Sequence, residues 1–284
     1  MSPLPTESRI FADRYRRDLK RREAAFADRI APGTKTWTGA VQAFFDRIDK
    51  AGSPIKRASL VHQLTEYLNE NVADGAHFLL DYGGKQRSAG LMFATLSAGE
   101  HPLVGIKEEG VNIVQHFIFS RRNGAISAMS GCDLAFISKH AIGRLHERGH
   151  NLSDSKATCV LACVGILGVL TRSSIKHVDG GLALHYDDTL VVGSLKHSAQ
   201  QMEGGGERRY NGTFYDVRTA LPADEVRNRE MLEQGAYATR AVAAWLDDRG
   251  VGKSLTHKLA ETIPFMPRRD DYIFNTLEGT RSKP

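Results

Sequence analysis

The hydrophobic pattern of the chain changes its period near residue 75, and this change constrains the fold more than any other feature. Before it, apolar residues recur at helical spacing, as Val41, Phe44, Phe45 and Ile48 do. After it, short runs rich in aromatic and β-branched residues are separated by glycine-containing turns, which is typical of strands. Because these strands cluster instead of alternating with helices, we predict an α+β fold with a mostly antiparallel sheet.

Turn and capping residues set the expected element boundaries. We predict helices over 7–30, 38–50 and up to 71, and strands over 77–82, 90–96, 101–109, 111–120 and 125–130. Ser138 is the expected N-cap of a helix that Gly149 ends, and a further helix follows over 154–171. Strands return at 181–188, 189–197 and 213–221, before helices over 224–248 and 253–262.

These elements divide the chain into three regions. Residues 1–74 form a helical N-terminal region, and residues 75–222 form an antiparallel α+β core. Residues 223–284 supply C-terminal helices that pack on this core.

Composition excludes a disordered or collagen-like chain, since 41% of the 284 residues are hydrophobic and 25% are charged. The net charge of +5 is compatible with a polyanionic partner but does not require one. The N-terminus has no apolar signal-peptide segment, and the longest apolar run covers 157–170. That run is shorter than the roughly 20 residues of a membrane-spanning helix, so we expect a cytoplasmic protein with no membrane insertion.

The cysteines and histidines give no metal signature. Cys132, Cys159 and Cys163 are an odd set with no second ligand pair at metal-binding spacing, so we expect buried thiols. The histidines His77, His101 and His116 fall on separate predicted strands, at spacings that match no metal motif. We therefore expect neither a metal ion nor another cofactor.

The first predicted helix is unusually basic. It has two interpretations, a phosphate-binding arm or a solvated face with ion pairs between residues four apart, and the second is favoured. Its cations are Arg9, Arg14, Arg16, Arg17, Lys20, Arg21, Arg22 and Arg29.

The segment 137–149 (ISKHAIGRLHERG) carries the clearest chemistry. On a helix, His140, Arg144 and Arg148 lie four residues apart and form one ridge. An imidazole that titrates near neutrality beside two guanidinium groups suits a phosphodiester, because arginine holds the phosphate while histidine moves a proton. The alternative is structural, with the arginines paired to surface carboxylates and His140 bonded locally.

This segment resembles the His-Ala-x-x-Arg-x-x-x-Arg-Gly helix of small proteins allied to the RelE-like ribonuclease toxins. The resemblance covers residues 134–222 loosely and implies that an antiparallel meander follows the motif helix. It also implies RNA cleavage, with His140, Arg144 and Arg148 at the positions of the motif.

Strand positions add further candidates. Arg218 and Thr219 lie on the last predicted strand of the meander and complete the expected catalytic set, with Arg218 in reach of a phosphate shared with the ridge. His185 and Tyr186 are expected to bind substrate. For Tyr186 and Thr219 the alternative is packing within the sheet.

Three functions remain open at this point. The first is a metal-independent ribonuclease or a toxin-like protein that has lost its activity. The second is a non-catalytic protein that binds RNA or another nucleic acid. The third is an interaction module that binds a protein partner or assembles as a homo-oligomer.

Overall fold

A computed structural model of the protein describes residues 4–71, 77–85, 88–103, 105–120, 126–150, 152, 182–186, 189–200 and 210–222. It contains four helices among these residues, α1 (Thr6–Ile30), α2 (Trp37–Lys50), α3 (Pro54–Glu70) and α4 (Lys139–Glu147). The strands are β1 (His77–Lys85), β2 (Ser88–Glu100), β3 (Glu109–Ser120), β4 (Ile126–Ser138), β5 (Leu182–Tyr186), β6 (Thr189–Gln200) and β7 (Tyr210–Pro222). The predicted α+β fold, with its helical N-terminal third, is confirmed.

All seven strands form one sheet in the order β1-β2-β3-β4-β7-β6-β5. Two antiparallel meanders, β1 to β4 and β5 to β7, meet where β4 and β7 pair in parallel. This parallel junction is short, since it joins Ala135 to Tyr215, Phe136 to Asp216 and Ile137 to Val217. The sheet is therefore mostly antiparallel, as predicted, with one parallel pair at its centre.

Capping residues place the two shorter N-terminal helices close to their predicted positions. The Thr36 hydroxyl accepts the Gly39 N–H at the start of α2, and the Ser53 hydroxyl accepts the Lys56 N–H at the start of α3. Pro54 occupies the first turn of α3, where a missing N–H costs nothing. The apolar faces of these helices bury Trp37, Phe44, Ile48, Val61, Leu64 and Leu68.

Helix α1 has a buried face that is not purely apolar. It buries two charged residues, Arg16 and Glu23, together with its apolar face. The Arg16 Nε donates to the Gly110 carbonyl (3.1 Å), and its Nη1 donates to Glu109 (2.6 Å). These polar contacts add to the buried face, and hydrophobic periodicity does not report them.

Glu23 links α1 to the next helix and to the sheet. Its carboxylate accepts hydrogen bonds from the Trp37 backbone N–H (3.3 Å) and from the Ser97 hydroxyl (3.0 Å). Burial raises the pKa of Glu23 although both hydrogen bonds oppose this shift.

Two strand predictions are wrong. The segment 101–109 is a connection between β2 and β3 up to Glu108, since Pro102 interrupts it and Gly105 has a φ of 88°. Strand β4 continues to Ser138, well beyond the predicted end at 130. Its pairing with β3 skips Gly131 and Leu134, and these β-bulges disturb the alternation on which strand prediction depends.

The three histidines considered as a metal site bond to other groups. His77 Nε2 lies 3.0 Å from the Leu68 carbonyl oxygen, and His116 Nε2 lies 3.0 Å from the Thr95 hydroxyl. Burial lowers the pKa of His116 to about 3.

Several predictions lie outside the described residues. They are the helix over 154–171 with Cys159 and Cys163, and the helices over 224–248 and 253–262. Among the helices that the structure does describe, none is long and apolar enough to cross a membrane.

Candidate active site at the junction of α4 and β7

Both ends of α4 are capped by the residues that the sequence indicates. The Ser138 hydroxyl accepts the Ala141 N–H (3.1 Å) at the start. At the end, Gly149 adopts a φ of 78° and donates its N–H to the His146 carbonyl (3.0 Å). The His150 N–H donates to the Leu145 carbonyl (3.0 Å), which completes a Schellman motif. The predicted limits of this helix are confirmed.

Helix α4 is held against the N-terminal half of α1. A Cβ atom on Gly143 would lie 2.9 Å from Leu4 and 3.2 Å from the Ser8 carbonyl, so the two helices approach closely there. The His146 ring stacks on Phe11 with 3.6 Å between ring centroids. Lys139 forms an ion pair with Asp13 at the start of α4.

The predicted ridge exists, but its members differ in environment. His140 is half-buried in the first turn of α4. Arg144 is also half-buried and pairs through Nη1 with the Glu147 carboxylate (2.7 Å), as the structural alternative anticipated. Arg148 is the exposed C-cap residue. On the opposite face Ala141, Ile142 and Leu145 are buried.

The His140 imidazole favours its neutral form. Burial and the nearby Arg144 charge lower its pKa, and the charges of Glu147 and Glu108 oppose them only in part. A neutral imidazole at pH 7 can accept a proton, which is the requirement for a general base.

Arg218 occupies a β-bulge on β7. In the pairing of β6 with β7, Val192 lies opposite Thr219 and Gly193 lies opposite Val217, so Arg218 has no partner residue. The Gly193 position accepts no side chain, because a Cβ there would lie 2.3 Å from the Asp216 carbonyl oxygen. Bulges re-aim the side chain that they carry, and this one directs Arg218 towards the β2–β3 connection.

The Arg218 guanidinium contacts three side chains. It donates from Nε (2.9 Å) and Nη2 (2.5 Å) to Asp216, and from Nη1 to Glu108, and its Nη2 lies 3.2 Å from His101 Nε2. Burial alone would lower the pKa of Arg218, but the hydrogen bonds and charges of Asp216 and Glu108 outweigh it and raise the pKa. The Arg218 side chain stays 33% exposed.

His101 and Asp216 both contact Arg218, and their side chains are fully buried. His101 Nδ1 accepts the Leu103 N–H (3.1 Å), which assigns the ring proton to Nε2, 3.4 Å from Asp216 Oδ2. The His101 ring packs edge-on against Phe136 and Phe214. Within the described residues, the buried Asp216 Oδ1 has no hydrogen-bond partner. Asp216, which this pairing keeps in place, therefore holds the Nε edge of Arg218.

One hydrogen bond and one electrostatic interaction connect this arginine to α4. The Ser138 hydroxyl that caps α4 also bonds the Arg218 carbonyl (3.2 Å). Glu108, which pairs with Arg218, is also close enough to His140 for its charge to oppose the lowering of the His140 pKa. We call His140, Arg144, Arg218 and Glu108 together the α4–β7 site.

The other predicted residues lie outside this site. Thr219 is buried and pairs with Val192 in the sheet. His185 and Tyr186 lie on the edge strand β5, opposite Leu190 and Thr189, with β6 between them and β7. Two strand spacings of about 4.8 Å therefore separate these two positions from Arg218 before any offset along the strands.

Sequence reasoning missed Glu108, His101 and Asp216. Glu108 and His101 lie in the connection that we predict as a strand, and no feature of the sequence indicates that they approach Arg218. For Asp216 the sequence does contain such a feature. Residues two apart on a strand share a face, so an Asp-x-Arg pair can interact.

The described residues contain no group of three or more His, Cys, Asp or Glu side chains arranged to hold a metal ion. Comparison of the chain with models of protein families, with curated proteins and with solved structures finds no match in any of the three.

Proposed function

We propose that the protein is a ribonuclease that works without a metal ion and uses the α4–β7 site. The observation that carries this proposal is that Glu108, the ion-pair partner of Arg218, is near enough to His140 for its charge to act on that ring, which itself favours its neutral form. His140 and Arg218 are the groups needed to move a proton and to stabilise charge on a phosphate.

In the proposed reaction the RNA supplies its own nucleophile. The neutral His140 ring takes the proton of the 2′-hydroxyl, and the 2′-oxygen attacks the adjacent phosphorus. The bond from phosphorus to the 5′-oxygen breaks, and water protonates that leaving oxygen. The products are a 2′,3′-cyclic phosphate and a 5′-hydroxyl end, so no oxidant or further co-reactant is consumed.

Arg218 has the geometry to bind the reacting phosphate. Asp216 occupies its Nε edge and keeps the guanidinium in place, while Glu108 occupies Nη1. A phosphate oxygen can replace the Glu108 carboxylate at Nη1, because both are anionic acceptors for the same N–H group. Arg144 lies on the same ridge and adds positive charge next to His140.

Cleavage of a fluorescent RNA oligomer in the presence of EDTA tests this function. We expect His140→Ala to lower kcat/KM by 100-fold or more, the range of general acid–base catalysis. Arg218→Gln should lower it similarly. His62→Ala, on the exposed surface of α3, is the matched control and should leave the rate unchanged. Full activity in folded His140→Ala, or no cleavage by the wild-type protein, would contradict the proposal.

The pH profile gives an independent test of the role of His140. A base works only in its neutral form, and the His140 pKa is lowered from 6.5. The acid limb of kcat/KM should therefore have its midpoint below pH 6.5, so that activity persists into mildly acidic buffer. A midpoint above pH 6.5, or an acid limb unchanged in the residual activity of His140→Ala, would rule out this base.

A further inference from the structure

The solvent-facing side of α1 carries a row of arginines that the α4–β7 site does not use. Arg14, Arg17 and Arg21 are all exposed, and their spacing of three and four residues places them on one ridge. At 100° per residue they fall within an arc of about 60°, opposite the buried face that contains Ala12, Leu19 and Phe26. We call these three residues the α1 arginine stripe.

The acids beside the stripe are already paired with other cations. Asp13 forms an ion pair with Lys139, and Asp18 pairs with Arg22 (2.6 Å). The Arg17 Nε donates a hydrogen bond to the backbone carbonyl of Asp13, at 3.4 Å. Within the described part of the chain no ion pair involves a stripe arginine, so the stripe presents three uncompensated positive charges to solvent.

We propose that the α1 arginine stripe binds the phosphate backbone of a nucleic-acid strand. Arg14 and Arg21 are seven residues apart, a span of about 10 Å along the helix axis. Four successive phosphates of one strand span a similar length, because three intervals of about 3.4 Å along the axis make about 10 Å. The stripe includes no aromatic side chain for base stacking, so the expected binding is independent of sequence.

The stripe lies close to the proposed catalytic site. The ion pair between Asp13 and Lys139 joins the border of the stripe to the first residue of α4, and His140 follows directly. A strand held on α1 can therefore continue towards the α4–β7 site. Binding by the stripe does not depend on cleavage, and the two proposals can fail separately.

The test is a salt titration of binding to a fluorescein-labelled 2′-O-methyl RNA 20-mer, which has no 2′-hydroxyl and cannot be cleaved by the proposed reaction. The test variant combines Arg14→Gln, Arg17→Gln and Arg21→Gln. Losing three phosphate contacts on a single strand should reduce the slope of log K against log salt by about 2. At 0.1 M salt this corresponds to an affinity about 100-fold lower.

The matched control combines Lys35→Gln, Lys50→Gln and Lys56→Gln, three exposed lysines that remove the same charge from other parts of the surface. We expect the control to retain the wild-type slope, with both variants showing the wild-type circular dichroism spectrum. An equal loss in the control would show that only net charge matters and would overturn the proposal. A stripe-dependent interaction with phosphatidylserine vesicles but not with the RNA would also overturn it, in favour of a membrane surface.

The same variants separate the two proposals. If the stripe variant loses binding while the wild-type protein cleaves no RNA, the proposal for the stripe is supported and the proposed catalytic function is contradicted. If His140→Ala abolishes cleavage while the stripe variant binds normally, the catalytic function is supported and the proposal for the stripe is contradicted.

Discussion

At the scale of single residues, the charged groups around the α4–β7 site illustrate how burial is compensated. His101 and Asp216 are fully buried and contact each other, and Asp216 also accepts two hydrogen bonds from Arg218. An isolated buried charge costs several kcal/mol, whereas a charge with good hydrogen bonds costs far less. The Arg218 side chain is therefore held by the groups that it neutralises.

Asp133 on β4 is a half-buried acid for which, among the residues that the structure describes, no compensating hydrogen bond or charge opposes the effect of burial on its pKa. Burial raises its pKa to about 6. Because the folded-state pKa lies above the ordinary value of 3.8, the folded protein binds this proton more tightly than the unfolded chain does. The destabilising effect of Asp133 is absent below about pH 4, grows as pH rises through 6, and is complete above pH 7.

We therefore predict that Asp133→Asn raises the free energy of unfolding at pH 7.5, by at most about 3 kcal/mol. The gain should shrink on acidification and disappear near pH 4, as measured by urea denaturation across this range. Asp49→Asn, at an exposed position on α2, is the control and should change stability little at any pH. A gain that is independent of pH would show that the ionisation of Asp133 is not its cause.

At the scale of secondary-structure elements, the end of β4 and the start of α4 share one side chain. Ser138 caps α4 and also bonds the Arg218 carbonyl at the bulge in β7. Ser53 caps α3 in the same way, with its hydroxyl accepting the Lys56 N–H (3.3 Å), so it offers a matched comparison.

We predict that Ser138→Ala and Ser53→Ala each lower the free energy of unfolding by about 1 kcal/mol, the usual effect of losing an N-cap. Only Ser138→Ala should also reduce the RNA cleavage that we propose, because it releases the bulge that positions Arg218. Chemical denaturation and cleavage assays of both variants separate these effects. Equal activity in the two variants would mean that Ser138 acts on stability alone.

The elements also show why some of the structure could be read from the sequence and some could not. Helices α1 to α4 were predictable because their limits depend on local signals such as Ser53, Ser138 and Gly149. The end of β4 was not, because the bulges at Gly131 and Leu134 are defined by the partner strand β3. The same limit applies to the site, since His140 is marked by a local motif whereas Glu108 reaches Arg218 only through the tertiary fold.

At the scale of the whole molecule, α1 attaches the helical layer to the sheet partly through Arg16. This side chain is buried and bonds both Glu109 and the Gly110 carbonyl at the start of β3. Glu108, the residue before them, bonds Arg218 on the other meander. The connection between β2 and β3 therefore joins the helices to both halves of the sheet.

We predict that Arg16→Met lowers the free energy of unfolding by about 1–3 kcal/mol, because it leaves the buried Gly110 carbonyl without this donor. Arg22→Met removes an ion pair on the exposed part of the same helix and should change stability by less than about 1 kcal/mol. Thermal and urea denaturation of the two variants give the comparison. An equal loss of stability in both variants would show that Arg16 acts through the overall charge of the helix and not through its contact with the sheet.

The parallel junction between β4 and β7 has a consequence for the order in which the molecule forms. Each meander consists of neighbouring strands joined by antiparallel pairing, which forms quickly from nearby parts of the chain. The junction instead closes a long loop, and Arg218 meets Glu108 across 110 residues of sequence. We therefore expect β1 to β4 to assemble on the ribosome before β7 is synthesised. The Arg218 guanidinium then reaches Glu108 only when the second meander docks. A nascent chain therefore contains His140 well before the α4–β7 site is complete.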